Sequence, residues 1–98
     1  MNKLAAAALA SVLAVPALAV GPADTFQSKC AACHGKDGKG TSPMAQKLGV
    51  KDLTVTKLSA AEIEKVITNG RGKMTPFKGK LSDAEISALA KYVAGGLK

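Results

Sequence analysis

The chain has 98 residues, with 14 lysines and arginines against 7 aspartates and glutamates, for a formal net charge of +7. That length allows one domain at most, and with 3% aromatics and no tryptophan such a domain leans on a disulfide, a metal or a cofactor for its core. The charge suits an acidic partner or an anionic surface, or simply a solvated lysine face, whereas nucleic acid is not expected because no binding motif accompanies it.

Residues 1–19 have the layout of a secretory signal. A basic start at Lys3 leads into an apolar run from Leu4 to Val15, broken by Pro16, and Ala17-Leu18-Ala19 supplies small residues for cleavage. The run is shorter than the ~20 residues a membrane span needs, so no membrane anchor is expected once it is removed. There is no twin arginine and no cysteine near the cleavage site. Export of the unfolded chain to the periplasm, without a lipid anchor, is the expectation, and residues 20–98 form the mature domain.

Gly21-Pro22 opens the first predicted helix, with proline at its first position. That helix runs through Phe26 toward His34 and ends at Gly35. The stretch KDGKGTSP reads as a loop. Ser42-Pro43 starts a short helical segment through Leu48, stopped by Gly49. Ser59-Ala60-Ala61-Glu62 is a capping box, behind which Ile63, Val66 and Ile67 share one face until Asn69-Gly70. A second box, Ser82-Asp83-Ala84-Glu85, precedes Ile86, Leu89, Ala90 and Val93 in the spacing of a buried helical stripe that ends at Gly95-Gly96. Between the boxes, GRGKMTPFKGK reads as an ordered loop. No strand pattern is visible, so the fold is expected to be all-α, with about three to five helices.

Residues 29–35 read KCAACHG. A disulfide between cysteines at i and i+3 would close a tiny loop and remove little unfolded-state entropy. A thioredoxin-like redox pair needs a βαβ context, which is absent. Zinc needs a fourth ligand beside Cys30, Cys33 and His34, and the chain has no other cysteine or histidine. The remaining reading is C-x-x-C-H, the attachment signal of c-type haem. Two thiols add across the porphyrin vinyl groups, the three-residue offset presents both sulfurs along one ring edge, and the adjacent histidine reaches the iron. One such motif means one haem.

His34 is the only histidine, so two histidines cannot share the iron. Thioether sulfur is the natural second ligand in an electron-transfer site, and Met44 and Met74 remain once Met1 leaves with the signal. Core filling is the ordinary role of a methionine. Met44 lies close to His34 and follows Pro43, on the histidine side. Met74 sits far along the chain in a glycine-flanked loop, free to approach the opposite face. Met74 is the expected ligand; Met44, a lysine or an open position stay as alternatives.

Together these segments resemble the class I mono-haem cytochromes c of the small bacterial kind. The resemblance covers CAACHG at 30–35, SPM at 42–44, NGRGKMTPF at 69–77 and LSDAEISALAKYV at 81–93. It implies crossed N- and C-terminal helices with the haem in a crevice between helices and loops, and Phe26 packed on the last helix near Tyr92. It also implies that the Pro43 carbonyl accepts a hydrogen bond from the ring N–H of His34. The pattern departs at Thr75, which separates Met74 from Pro76, and at Ser42, where a glycine is frequent before the proline.

The function implied by this resemblance is single-electron transfer in the periplasm, by a monomer that is not an enzyme. Electrons would cross at the porphyrin edge near Cys30 and Cys33, ringed by Lys29, Lys36, Lys73 and Lys78, to redox partners with an acidic docking surface. Arg71 and Tyr92 are weaker candidates for meeting a haem propionate. The competing reading is a haem-based sensor or gas binder in which an external ligand displaces the methionine. A haem-enzyme accessory domain is disfavoured, because the chain has no second haem motif and no distal histidine or arginine placed for an open site.

Overall fold

Helices follow one another along the computed structural model, which describes residues 21–98; the expected signal at residues 1–19 lies outside the described residues. In chain order they are α1 (Pro22–Lys29), α2 (Ala31–His34), α3 (Pro43–Leu48), a 3-10 turn (Leu53–Val55), α4 (Ala60–Asn69) and α5 (Asp83–Ala94). Among the described residues the only extended pairings are isolated bridges, Arg71 with Met74 and Lys78 with Leu81. The fold is all-α.

The first helix differs from expectation. It does not run unbroken from Pro22 to His34: Cys30 closes α1 with φ −117° and ψ −30°. The amides of Cys33 and His34 both donate to the Cys30 carbonyl, at 3.2 and 3.0 Å, and start the short α2. Local propensity does not call for this break. Its cause is tertiary, since α1 packs on α5 while α2 packs on α3.

Capping chemistry sets the other boundaries. Ser59 Oγ accepts from the Glu62 amide at 3.1 Å and Glu62 Oε1 accepts from the Ser59 amide at 2.9 Å. The Ser82–Glu85 box repeats this at 3.0 and 2.7 Å. At the other ends, α3 and α5 close in Schellman turns. The Val50 amide reaches the Ala45 carbonyl at 3.1 Å around left-handed Gly49, and the Leu97 amide reaches the Tyr92 carbonyl at 2.9 Å around Gly96.

The amide and hydroxyl of Ser59 hold the Glu62 carboxyl below the usual carboxylate range, and those of Ser82 do the same for Glu85. A carboxyl depressed in the folded state contributes stability above its unfolded pKa, about 4.3 for glutamate. That contribution is lost as pH falls through the folded pKa. Glutamine at both positions keeps the acceptor but removes the titration. The double variant Glu62→Gln/Glu85→Gln is therefore expected to lose less stability than wild type between about pH 6 and about pH 3, read from urea midpoints at each pH.

The buried core consists of Phe26, Ile63, Ile67, Leu81, Ile86, Leu89, Ala90 and Val93. The whole predicted stripe of α5 is in it. Helix α5 lies against both α1 and α4, and Phe26 meets Tyr92 edge-on, with ring centroids 6.3 Å apart and planes at 62°. Val66 is only half-buried because, like its neighbours Ile63 and Ile67, it lines a cavity.

Candidate functional site

The cavity has a volume of about 940 Å³, within the range of small-molecule and cofactor sites. Its walls are mostly apolar. Phe26, Leu89 and Val93 come from the contacting helices α1 and α5, Ile63, Val66 and Ile67 from α4, and Leu53, Val55 and Leu58 from the 3-10 turn and the segment leading into α4. Cys30, Cys33 and His34 line it from the α1–α2 junction, and Met74 lines it from the loop between α4 and α5.

Of the two candidate methionines, Met74 is half-buried against the core while Met44 is 49% exposed and does not line the cavity. The Met74 loop is tied down by backbone. Arg71 and Met74 exchange amide–carbonyl bonds of 3.2 and 2.8 Å, and the amides of Phe77 and Lys78 donate to the carbonyls of Ile67 and Thr68 at 2.9 and 3.1 Å. The loop read from sequence as ordered is thus a closed turn fastened to the last turn of α4.

Neither thiol is bridged: Cys30 is half-buried and Cys33 exposed. Burial, and then the neighbouring Cys33, push the Cys30 thiol up to about 11. Burial lowers the pKa of His34, so the imidazole is neutral at neutral pH, the form that ligates metals. His34 stands 6.5 Å from the Phe26 ring, centroid to centroid.

Here the structure corrects one implied contact. Nδ1 of His34 is buried without a hydrogen-bond partner, so the bond to the Pro43 carbonyl is not formed, and Pro43 does not line the cavity. Pro43 is the first residue of α3, where a backbone carbonyl points along the helix axis into the i→i+4 ladder. Tyr92, too, is absent from the cavity wall and packs on Phe26 instead. Arg71 does line it. The cations at its wall are Lys29, Lys51, Lys57, Arg71 and Lys73; Lys36 and Lys78 are not among them.

The wall that sequence reasoning missed is built from residues 48–53 and 55–58. Asp52 Oδ1 accepts from the amide and hydroxyl of Thr54, at 2.8 and 2.5 Å, and starts the 3-10 turn. An aspartate two residues before a threonine is a local turn signal that was available to find it.

Two unbridged thiols, a neutral imidazole with an unpartnered buried nitrogen and a thioether border one apolar space. That donor set fits a haem held by thioether bonds, and the fold with its cavity defines a c-type haem protein. Comparison with known proteins agrees. The family model described as cytochrome C oxidase, cbb3-type, subunit III matches residues 17–93. Cytochrome c6 of Leptolyngbya boryana is 42% identical over 69 residues, which cover 69% of this chain and 80% of that protein. Cytochrome c-551 of Bacillus subtilis is 38% identical over 72% of this chain and 57% of its own length. The cbb3-type oxidase subunit FixP of Azorhizobium caulinodans is 43% identical over 72% of this chain, but the match spans only 25% of FixP. A solved structure, the KustC0563 c-type cytochrome, superposes with a TM-score of 0.70 at 30% identity, covering 81% of this chain and all of that one. The chain belongs to the cytochrome c family, as a small class I member, and its cofactor is covalently bound haem c.

Proposed function

We propose that this chain is a periplasmic single-electron carrier and not an enzyme, with haem c joined to Cys30 and Cys33 and ligated by His34 and Met74. The observation that carries the reading is the meeting of His34 and Met74, from distant parts of the chain, at one cavity that both thiols also line. Held by His34 and Met74 together, the haem would supply reversible one-electron chemistry and would leave no coordination site for a substrate.

The residues divide the remaining work. Cys30 and Cys33 tether the group in a domain too small to hold it by packing alone. His34 is kept neutral by burial and donates to the iron. The soft sulfur of Met74 favours the reduced state, and Ile63, Val66, Ile67 and Leu89 keep water from the site. Lys29, Lys51, Lys57 and Lys73 present positive charge around the opening, which suits a redox partner with an acidic docking surface. The signal-like segment at residues 1–19 supports the periplasmic location, and no described helix is long and apolar enough to cross a membrane.

Met74→Ala is the test. The oxidised wild type is expected to show a weak long-wavelength sulfur-to-iron absorption band that the variant lacks, and only the reduced variant is expected to bind carbon monoxide. A wild type without that band, or one that takes up carbon monoxide readily, would replace this reading with that of a haem-based sensor.

A further inference from the structure

A glycine flanks each of the two ligand-bearing segments, held where other residues rarely go. Gly35, directly after His34, has φ 89° and ψ 154°. Gly70, ahead of the Met74 turn, has φ 76° and ψ 173°. This region of backbone space is populated by glycine almost alone.

Their surroundings differ. A Cβ on Gly35 would have room, its nearest neighbour being Asp37 Oδ1 at 3.5 Å. On Gly70 it would lie 2.5 Å from the Met74 carbonyl oxygen, 2.9 Å from the Pro76 nitrogen and 3.1 Å from Pro76 Cδ. Those are backbone and ring atoms, which cannot swing aside as the end of a long side chain can. Gly72, inside the same turn at φ 57°, has nothing within 4 Å.

We propose that Gly70 is a positioning residue for Met74, setting through its missing side chain how deeply the thioether enters the cavity. The proposal rests on Met74 being the axial ligand. The loop is anchored on both sides of the close approach. Arg71 is bonded reciprocally to Met74, while Phe77 and Lys78 hang from the carbonyls of Ile67 and Thr68 at the end of α4. With both ends fastened there is no slack at Gly70. A methyl group there displaces the Met74 carbonyl, and with it the backbone from which the side chain reaches. The contact also gives Thr75 a reason: by separating Met74 from Pro76, it places the proline ring against Gly70 while Met74 faces the cavity.

The experiment compares haem-loaded wild type with Gly70→Ala, Gly72→Asn, Met74→Ala and the double variant Gly70→Ala/Met74→Ala. Asparagine tolerates left-handed backbone, so Gly72→Asn is expected to keep the sulfur-to-iron band. Gly70→Ala is expected to lose it and, once reduced, to bind carbon monoxide with an affinity close to that of Met74→Ala. Adding Gly70→Ala to Met74→Ala is expected to change neither property further. A Gly70→Ala protein that keeps the band overturns the positioning role and leaves the ligation intact. Failure of Gly70→Ala to accumulate where Met74→Ala does so also overturns it, since the glycine would then serve the whole fold. A wild type without the band removes the ligation reading, and the proposal with it.

Discussion

A chain carrying Cys30→Ala and Cys33→Ala together is expected to lose all covalently held haem. Intact-mass measurement of the denatured protein should show the bare polypeptide, where wild type carries the mass of one haem. The two thiols are the only cysteines in the chain, and both line the cavity, so no other residue can form the thioether links. The single variants are expected to keep one link each and remain pigmented. Stability should follow the tether. A core of eight buried side chains beside a cavity of about 940 Å³ leaves little margin in a domain of this size. The double variant is therefore expected to show a marked loss of far-ultraviolet helical signal at room temperature. Retention of wild-type helix content without haem would show that the protein core suffices.

Phe26→Ala is expected to cost about 3–5 kcal/mol, the usual range for deleting a buried phenylalanine side chain. That is a large share of the roughly 5–15 kcal/mol that holds a small domain folded. Phe26 is 1% exposed and joins three features of the molecule. It sits on α1 within the core, meets Tyr92 of α5 edge-on and lines the cavity beside His34. At about 4 °C or more per kcal/mol for a domain of this length, the melting temperature of the haem-loaded protein should fall by more than about 10 °C. Tyr92→Phe keeps the ring contact and is expected to melt within a few degrees of wild type. A small effect of Phe26→Ala would mean that the terminal helices are held together mainly by the stripe of α5.

Local chemistry in the sequence was enough for much of this molecule. Ser59, Ser82 and their glutamates, the prolines opening α1 and α3, and the glycine after α3 act within a few residues of themselves. The helix boundaries they set are therefore legible without a partner in view. The same holds for Ile86, Leu89, Ala90 and Val93, whose spacing alone puts them on one face, and for Cys30-Ala31-Ala32-Cys33-His34, whose chemistry depends on adjacency. That Met74 faces the cavity and Met44 does not was reached from chain distance and the glycine-rich setting of Met74. Other features depend on which segments meet. The break at Cys30 arises because α1 and α2 pack on different helices. The missing bond between His34 and Pro43 depends on the placing of α3, and the exclusion of Lys36, Lys78 and Tyr92 from the cavity wall on side chains distant in sequence. Gly70 illustrates the division most sharply. Sequence identified it as the end of a helix, but Met74 and Pro76 fill the space a side chain on it would need only because the loop is tied back onto α4. Capping and periodicity are interactions of near neighbours and can be read from the residues themselves, whereas these contacts are set by packing between distant segments, which tertiary structure alone decided.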